Sequence, residues 1–237
     1  MSILCSNVTK KYGDTAALDG INIEFKAGMN ILIGSNGAGK STLLNILSTI
    51  IFPTGGDVKF KGNTIYSKDY KSKLGYLPQD FSVYENITGY EFLLYMSCIK
   101  SINREKAKKE IKEYLNIFNL SQSADKRLSA YSGGMKQRIG IIQALLDRPD
   151  IIILDEPFNS LDPGERRMAK NILKELSKNS IIILSSHVLQ ELEEFSGRLT
   201  IIDEGKVVTN IDMDDLKASK DANFLESFYF EKTKNII

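Results

Sequence analysis

The stretch Gly34-Ser35-Asn36-Gly37-Ala38-Gly39-Lys40-Ser41-Thr42 constrains this chain more than any other. It is a glycine-rich loop ending in a lysine and two hydroxyls, and it fits the pattern G-x-x-x-x-G-K-[ST]. An apolar run, Ile31-Leu32-Ile33, precedes it, and Leu43-Leu44-Asn45-Ile46-Leu47 follows with helical spacing. The spacing predicts strand, loop and helix in succession. Glycines in such a loop let backbone N–H groups turn inward around an anion, and the helix N-terminus adds partial positive charge. On this reading Lys40 contacts the β- and γ-phosphates of a nucleoside triphosphate, and the Ser41 hydroxyl is a ligand for Mg²⁺.

Periodicity places this loop in an α/β setting. Asn22 and Glu24 alternate with Ile21, Ile23 and Phe25, the period of a half-buried strand, and the segments 57–61 and 206–211 look similar. Ile31–Ile33, Ile151–Leu154, Ile181–Leu184 and Leu199–Ile202 are almost purely apolar, as suits central parallel strands covered on both faces. Strand signals alternate with helical ones over most of the chain. The stretch 80–130 differs. Thr88-Gly89-Tyr90-Glu91 is a capping box opening one helix. Asn103 then caps a second, whose apolar face is Ala107, Ile111, Tyr114, Leu115 and Phe118. The expected organisation is an ATP-binding core from 1–79 and 131–211, a helical insertion at 80–130, and a C-terminal extension at 212–237 packing back on the core.

Other chemical groups fall at predicted strand ends. The apolar run 151–154 ends in Asp155-Glu156: an acid there can hold Mg²⁺ directly or through water, and its neighbour can orient the attacking water. Asp155 is assigned to the metal and Glu156 to the water. His187 follows the run 181–186 and would sit at the ligand crevice of an open α/β sheet, within reach of the γ-phosphate. Gln79 closes 74–79 and could join the Mg²⁺ shell. Tyr12 could stack on a base, although a lone tyrosine also reads as structural. Ser132-Gly133-Gly134 opens a helix through Ile139, Ile142 and Leu145, which builds a second anion-binding N-terminus. Two phosphate cradles with one lysine-bearing loop need an explanation.

Together these residues resemble the ATP-binding subunit of ABC transporters over essentially the full chain. Tyr12 falls at the base-stacking tyrosine, Gly34–Thr42 at Walker A and Gln79 at the Q-loop. Ser132-Gly133-Gly134 falls at the signature, Asp155-Glu156 at the end of Walker B, Asp162 in the D-loop and His187 at the switch histidine. The resemblance implies a P-loop NTPase core with a mainly parallel central sheet, an N-terminal antiparallel β subdomain and an inserted helical subdomain. It also implies head-to-tail pairing, as homodimer or heterodimer, with each ATP held between Walker A of one subunit and the signature of the other. Catalysis then belongs to Glu156, His187 and Lys40, and the metal shell to Ser41, Gln79 and Asp155. Tyr131, Met135 and Phe158 depart from the commonest family residues.

The segments 74–81 and 83–88, and the tail 225–228, are similar to ABC-2-type exporter ATPases. The implied partner is an integral membrane permease, gripped through Phe81, Val83 and Tyr84, with the chain cytoplasmic and peripheral on the inner face of the cell membrane. Lys and Arg number 31 against 30 Asp and Glu, a net charge of +1, which argues against nucleic acid as a partner. Two lone cysteines suggest reduced thiols. No apolar signal-peptide core and no run of the ~20 residues needed to span a bilayer are present. A soluble ABC ATPase with a role such as cofactor assembly is the alternative. A GTP switch is excluded by the lack of an N-K-x-D motif.

Overall fold

In the computed structural model of the 237-residue chain, residues 1–217 and 224–234 are described. The strands are β1 Ser2–Tyr12, β2 Thr15–Lys26, β3 Gly28–Ile33, β4 Gly55–Phe60, β5 Asn63–Thr64, β6 Leu74–Leu77, β7 Ile151–Asp155, β8 Ile181–Ser185, β9 Arg198–Asp203 and β10 Lys206–Asp212. The helices are α1 Lys40–Leu47, α2 Lys68–Ser72, α3 Gly89–Ile99, α4 Arg104–Ile117, α5 Gly133–Leu145, α6 Pro163–Ser177, α7 Met213–Lys217 and α8 Phe224–Lys234.

They form two sheets. One is antiparallel, in the order β2-β1-β4-β5. The other, in the order β10-β9-β3-β8-β7-β6, is parallel except for β10, which returns antiparallel along β9. The apolar runs form the middle of this second sheet because both of its faces are covered. Ile151, Ile153, Ile181 and Ile183 pack into one core with α1 and the antiparallel sheet. Ile152, Leu154, Ile182 and Leu184 point the other way, into a core with α4, α5 and α6. Asn30 is the polar exception on β3. Its amide donates to the carbonyls of Lys26, Gly28 and Ile182 at 2.9, 3.2 and 3.1 Å, so its burial leaves no donor unsatisfied.

Between β6 and α5 lie α3 and α4. Thr88 caps α3 in a capping box with Glu91, and the Asn103 side chain accepts from the N–H groups of Glu105 and Lys106 at the start of α4. The five residues expected on the apolar face of α4 are all buried. α8 packs back on the core through Leu225, which is fully buried. The expected C-terminal extension also includes 218–223 and 235–237, which lie outside the described residues. Among the described residues no helix is long and apolar enough to cross a membrane.

Parallel topology has a functional consequence. The carboxyl ends of β3, β6, β7 and β8 lie along one edge, the position where open α/β sheets bind ligands.

Candidate active site

The loop after β3 enters α1 through Gly39, whose φ of 106° is costly for any other residue. Space forbids a side chain there as well: a Cβ would lie 2.5 Å from the Ala17 carbonyl oxygen. Lys40 is buried and folds back over the loop, its Nζ donating to the carbonyls of Gly34 at 2.7 Å and Ser35 at 3.0 Å. Burial pushes the Lys40 pKa down, while the nearby Glu156 and Asp155 carboxylates oppose that shift.

A cavity of ≈ 280 Å³ opens above this loop, lined by Asn36, Gly37, Gly39, Lys40, Ser41 and Thr42, with Ala17, Gln79 and Glu156 completing it. Ser41 Oγ and Gln79 Oε1 are 3.3 Å apart. Ser41, Gln79 and Asp155 offer only oxygens, the donor class Mg²⁺ takes, so the set fits that ion. Among the described residues no three His, Cys, Asp or Glu side chains cluster as a metal site.

Strands β7 and β8 run in register, so Asp155 lies opposite Ser185. The Ser185 hydroxyl, fully buried, donates to Asp155 Oδ1 at 2.5 Å and accepts from the Glu156 N–H at 3.0 Å. Glu156 follows with φ 52°, in the left-handed region that non-glycine residues seldom occupy. Gln137 on α5 donates to the Glu156 and Pro157 carbonyls at 3.3 and 3.1 Å and so braces the same turn. One Glu156 carboxylate oxygen lies 2.9 Å from His187 Nδ1; the glutamate side chain is 8% exposed and the histidine 53%. The acid is therefore held, while the imidazole is half exposed.

The remaining sequence-predicted residues lie outside the cavity lining. Tyr12 does not line the cavity. It ends β1 opposite Thr15, with its ring half exposed and Lys10 Nζ 5.2 Å from the ring centroid. Ser35 is exposed, and its hydroxyl donates to Asp203 Oδ1 at 3.4 Å; Ala38 is buried beneath the loop. Ser132, Gly133 and Gly134 are absent from the cavity lining. Ser132 is exposed and caps α5, accepting from the Met135 N–H at 3.2 Å. Gly134 is required by its neighbour, because a Cβ there would lie 2.7 Å from the Ser160 carbonyl oxygen. Asp162 caps α6 in a reciprocal box with Glu165, at 2.8 and 3.1 Å. Arg138 joins these parts: it pairs with Glu165 at 2.7 Å and donates to the Gly134 carbonyl at 3.3 Å and the Phe118 carbonyl at 2.7 Å.

Two of the unusual residues are accounted for by packing. The Tyr131 hydroxyl donates to the Ser123 carbonyl at 2.6 Å and occupies the space a side chain at Gly89 would need. Phe158 stacks on Phe195, with ring centroids 6.2 Å apart. Sequence reasoning passed over Ser185, Gln137 and Arg138. Only Ser185 had a usable signal, a polar residue closing an apolar strand beside the acid pair.

The family model described as "ABC transporter" matches residues 18–159. The chain is 35% identical to the bacitracin transport ATP-binding protein BcrA of Bacillus licheniformis, over 99% of this chain and 77% of that protein. It is 32% identical to the daunorubicin/doxorubicin resistance ATP-binding protein DrrA of Streptomyces peucetius, over 94% of this chain and 69% of that protein. Among solved structures it resembles the dimeric post-hydrolysis state of the ATP-binding cassette MJ0796 bound to ADP and Pi. The TM-score is 0.81 at 26% identity, covering 89% of this chain and 98% of that one.

Proposed function

This chain belongs to the ABC transporter ATP-binding family, and from that premise we propose that it hydrolyses ATP as one half of a head-to-tail pair that drives a separate membrane permease outward. ATP hydrolysis is the family's reaction and this chain's. The observation that carries the pairing is the separation of its two phosphate-binding helix N-termini. The α1 end, with Lys40, lines the cavity; at the α5 end Ser132 and Gly133 are exposed, and none of Ser132–Gly134 lines it. A second chain can therefore bring its own Ser132–Gly134 to the cavity, an isologous contact about a two-fold axis. The dimeric form of the similar cassette supports this.

In the reaction, Lys40 leaves the Gly34 and Ser35 carbonyls for the β- and γ-phosphates, while the loop N–H groups and the α1 terminus hold the remaining charge. Tyr12, exposed at the end of β1, stacks on the base. Ser41, Gln79 and Asp155 would hold Mg²⁺, which would neutralise charge developing on the phosphates. Glu156, fixed by Ser185 and Gln137, accepts a hydrogen bond from water and aims it at the γ-phosphate. His187 donates toward the γ-phosphate while its other face is tethered by Glu156. Because both groups are prepositioned, their effect falls on the transition state. Asp162 keeps its loop beside Gly134, so the loop travels with the signature onto the partner chain's nucleotide.

The permease contact is assigned to the surface beside Gln79. Phe81 packs on Phe92 (centroids 6.0 Å apart), whereas Tyr84 remains 66% exposed against the 50% exposed Tyr95. An apolar surface this open, next to a residue that touches the metal shell, suits a coupling contact. The export direction rests on likeness to BcrA and DrrA. Glu156→Gln tests the site: nucleotide binding persists while turnover falls at least about 100-fold, the usual worth of a positioned acid–base group. Wild-type turnover in that variant would reject the assignment.

A further inference from the structure

A second concavity, of ≈ 200 Å³, adjoins the phosphate loop and shares Asn36 with the first. Gly34 and Ser35 form part of its wall, Ser186 and His187 another part, and Tyr229 of α8 a third. Tyr229 is thus a residue from the far C-terminal helix set beside the histidine of the active site.

Its place there follows from the helix. Leu225 and Tyr229 are four residues apart and so share one face of α8. Leu225 is fully buried, and Phe224 and Phe228 pack against the same core, so that face is pinned. α8 also packs on the turn Leu189–Glu191, which immediately follows the histidine segment. His187 itself lies between the end of β8 and that turn, outside regular structure. Its restraint on one side is the 2.9 Å contact with Glu156. Tyr229 and His187 line the same concavity. Burial, with the Asp203 carboxylate adding to it, raises the Tyr229 phenol pKa.

We propose that Tyr229 is a positioning residue for the reaction: its ring walls the concavity behind His187 and keeps the imidazole over Glu156 and the phosphate loop. The C-terminal helix then belongs to the active site. This rests on the hydrolytic role given to His187 above.

The test is a double-mutant cycle in the full-length chain, reading kcat and KM for MgATP. Tyr229→Ala is expected to lower kcat about 10-fold, as misplacing a catalytic group does, with KM within about twofold. Tyr229→Phe keeps the ring and restores most of kcat. Added to His187→Ala, Tyr229→Ala has no further effect. Multiplicative losses in the double variant would overturn the proposal, as would a Tyr229→Ala effect confined to KM. Should Tyr229→Ala fail to fold, Tyr229→Leu keeps the apolar bulk without the flat wall; it too must lose kcat, and unchanged kcat would overturn the proposal. His187→Ala with wild-type turnover would sink the reading of the site itself. An inactive His187→Ala beside an unaffected Tyr229→Ala would sink this proposal alone.

Discussion

Removing one hydroxyl, in Ser185→Ala, should damage both the stability and the chemistry of this protein. Ser185 is fully buried and serves two residues at once, donating to Asp155 at 2.5 Å and accepting from the Glu156 N–H at 3.0 Å. A hydrogen bond to a charged group contributes about 1.5–3 kcal/mol, and a buried N–H left without a partner costs about 1–3 kcal/mol. The two together give about 2.5–6 kcal/mol, less whatever a water in the vacated space recovers. For a chain of this length that is a drop of roughly 10 °C in Tm. Glu156 also loses an anchor of its left-handed backbone, φ 52°, so its carboxylate shifts from its place against His187. Such a misplacement costs on the order of 10- to 100-fold in kcat. Thermal unfolding followed by circular dichroism, together with steady-state ATP hydrolysis, reads both effects. Unchanged Tm and kcat would refute the idea that Ser185 holds the acid pair in place.

Three further outcomes follow from the same geometry. Gly134→Ala puts a Cβ 2.7 Å from the Ser160 carbonyl oxygen, so turnover should fall while nucleotide binding, measured by fluorescence titration, stays within about twofold. Burial depresses the Lys100 pKa to about 8, against the opposing charges of Asp147 and Glu110. Between pH 8 and 10.5 the unfolded chain binds the extra proton, so wild type should gain stability relative to Lys100→Met as pH rises, by at most about 3 kcal/mol. Denaturant melts across that range would show it, and a pH-independent difference would contradict it. Tyr84→Ser with Tyr95→Ser should leave the chain's own ATP hydrolysis intact and weaken its co-purification with the permease from detergent-solubilised membranes. Retention of that complex would move the docking surface elsewhere.

Much of this architecture is legible in the chain because burial on both faces leaves a plain mark. Strands such as 151–154 and 181–184 must be apolar at every position, and the phosphate loop needs glycines where a Cβ would strike backbone. Caps are equally visible, since Thr88, Asn103, Ser132 and Asp162 each satisfy N–H groups only one turn away. What resists reading is anything settled by register or by distant packing. Ser185 matters because β8 lies beside β7 at a particular offset. Arg138 matters because α4, α5 and α6 meet around it. Tyr229 reaches the histidine only because Leu225 anchors its helix. Nothing local to Arg138 or Tyr229 marks them, and at Ser185 the one local mark is a polar residue closing an apolar strand.

The central claim is that the cavity over Lys40 is completed by Ser132–Gly134 of another chain. Glu156→Gln, which should bind MgATP without turning it over, allows that to be measured by light scattering after size-exclusion chromatography. The account predicts twice the chain mass with MgATP, the chain mass without it, and the chain mass again with MgATP once Ser132→Arg is added. A dimer indifferent to Ser132→Arg, or no dimer with MgATP, would contradict it.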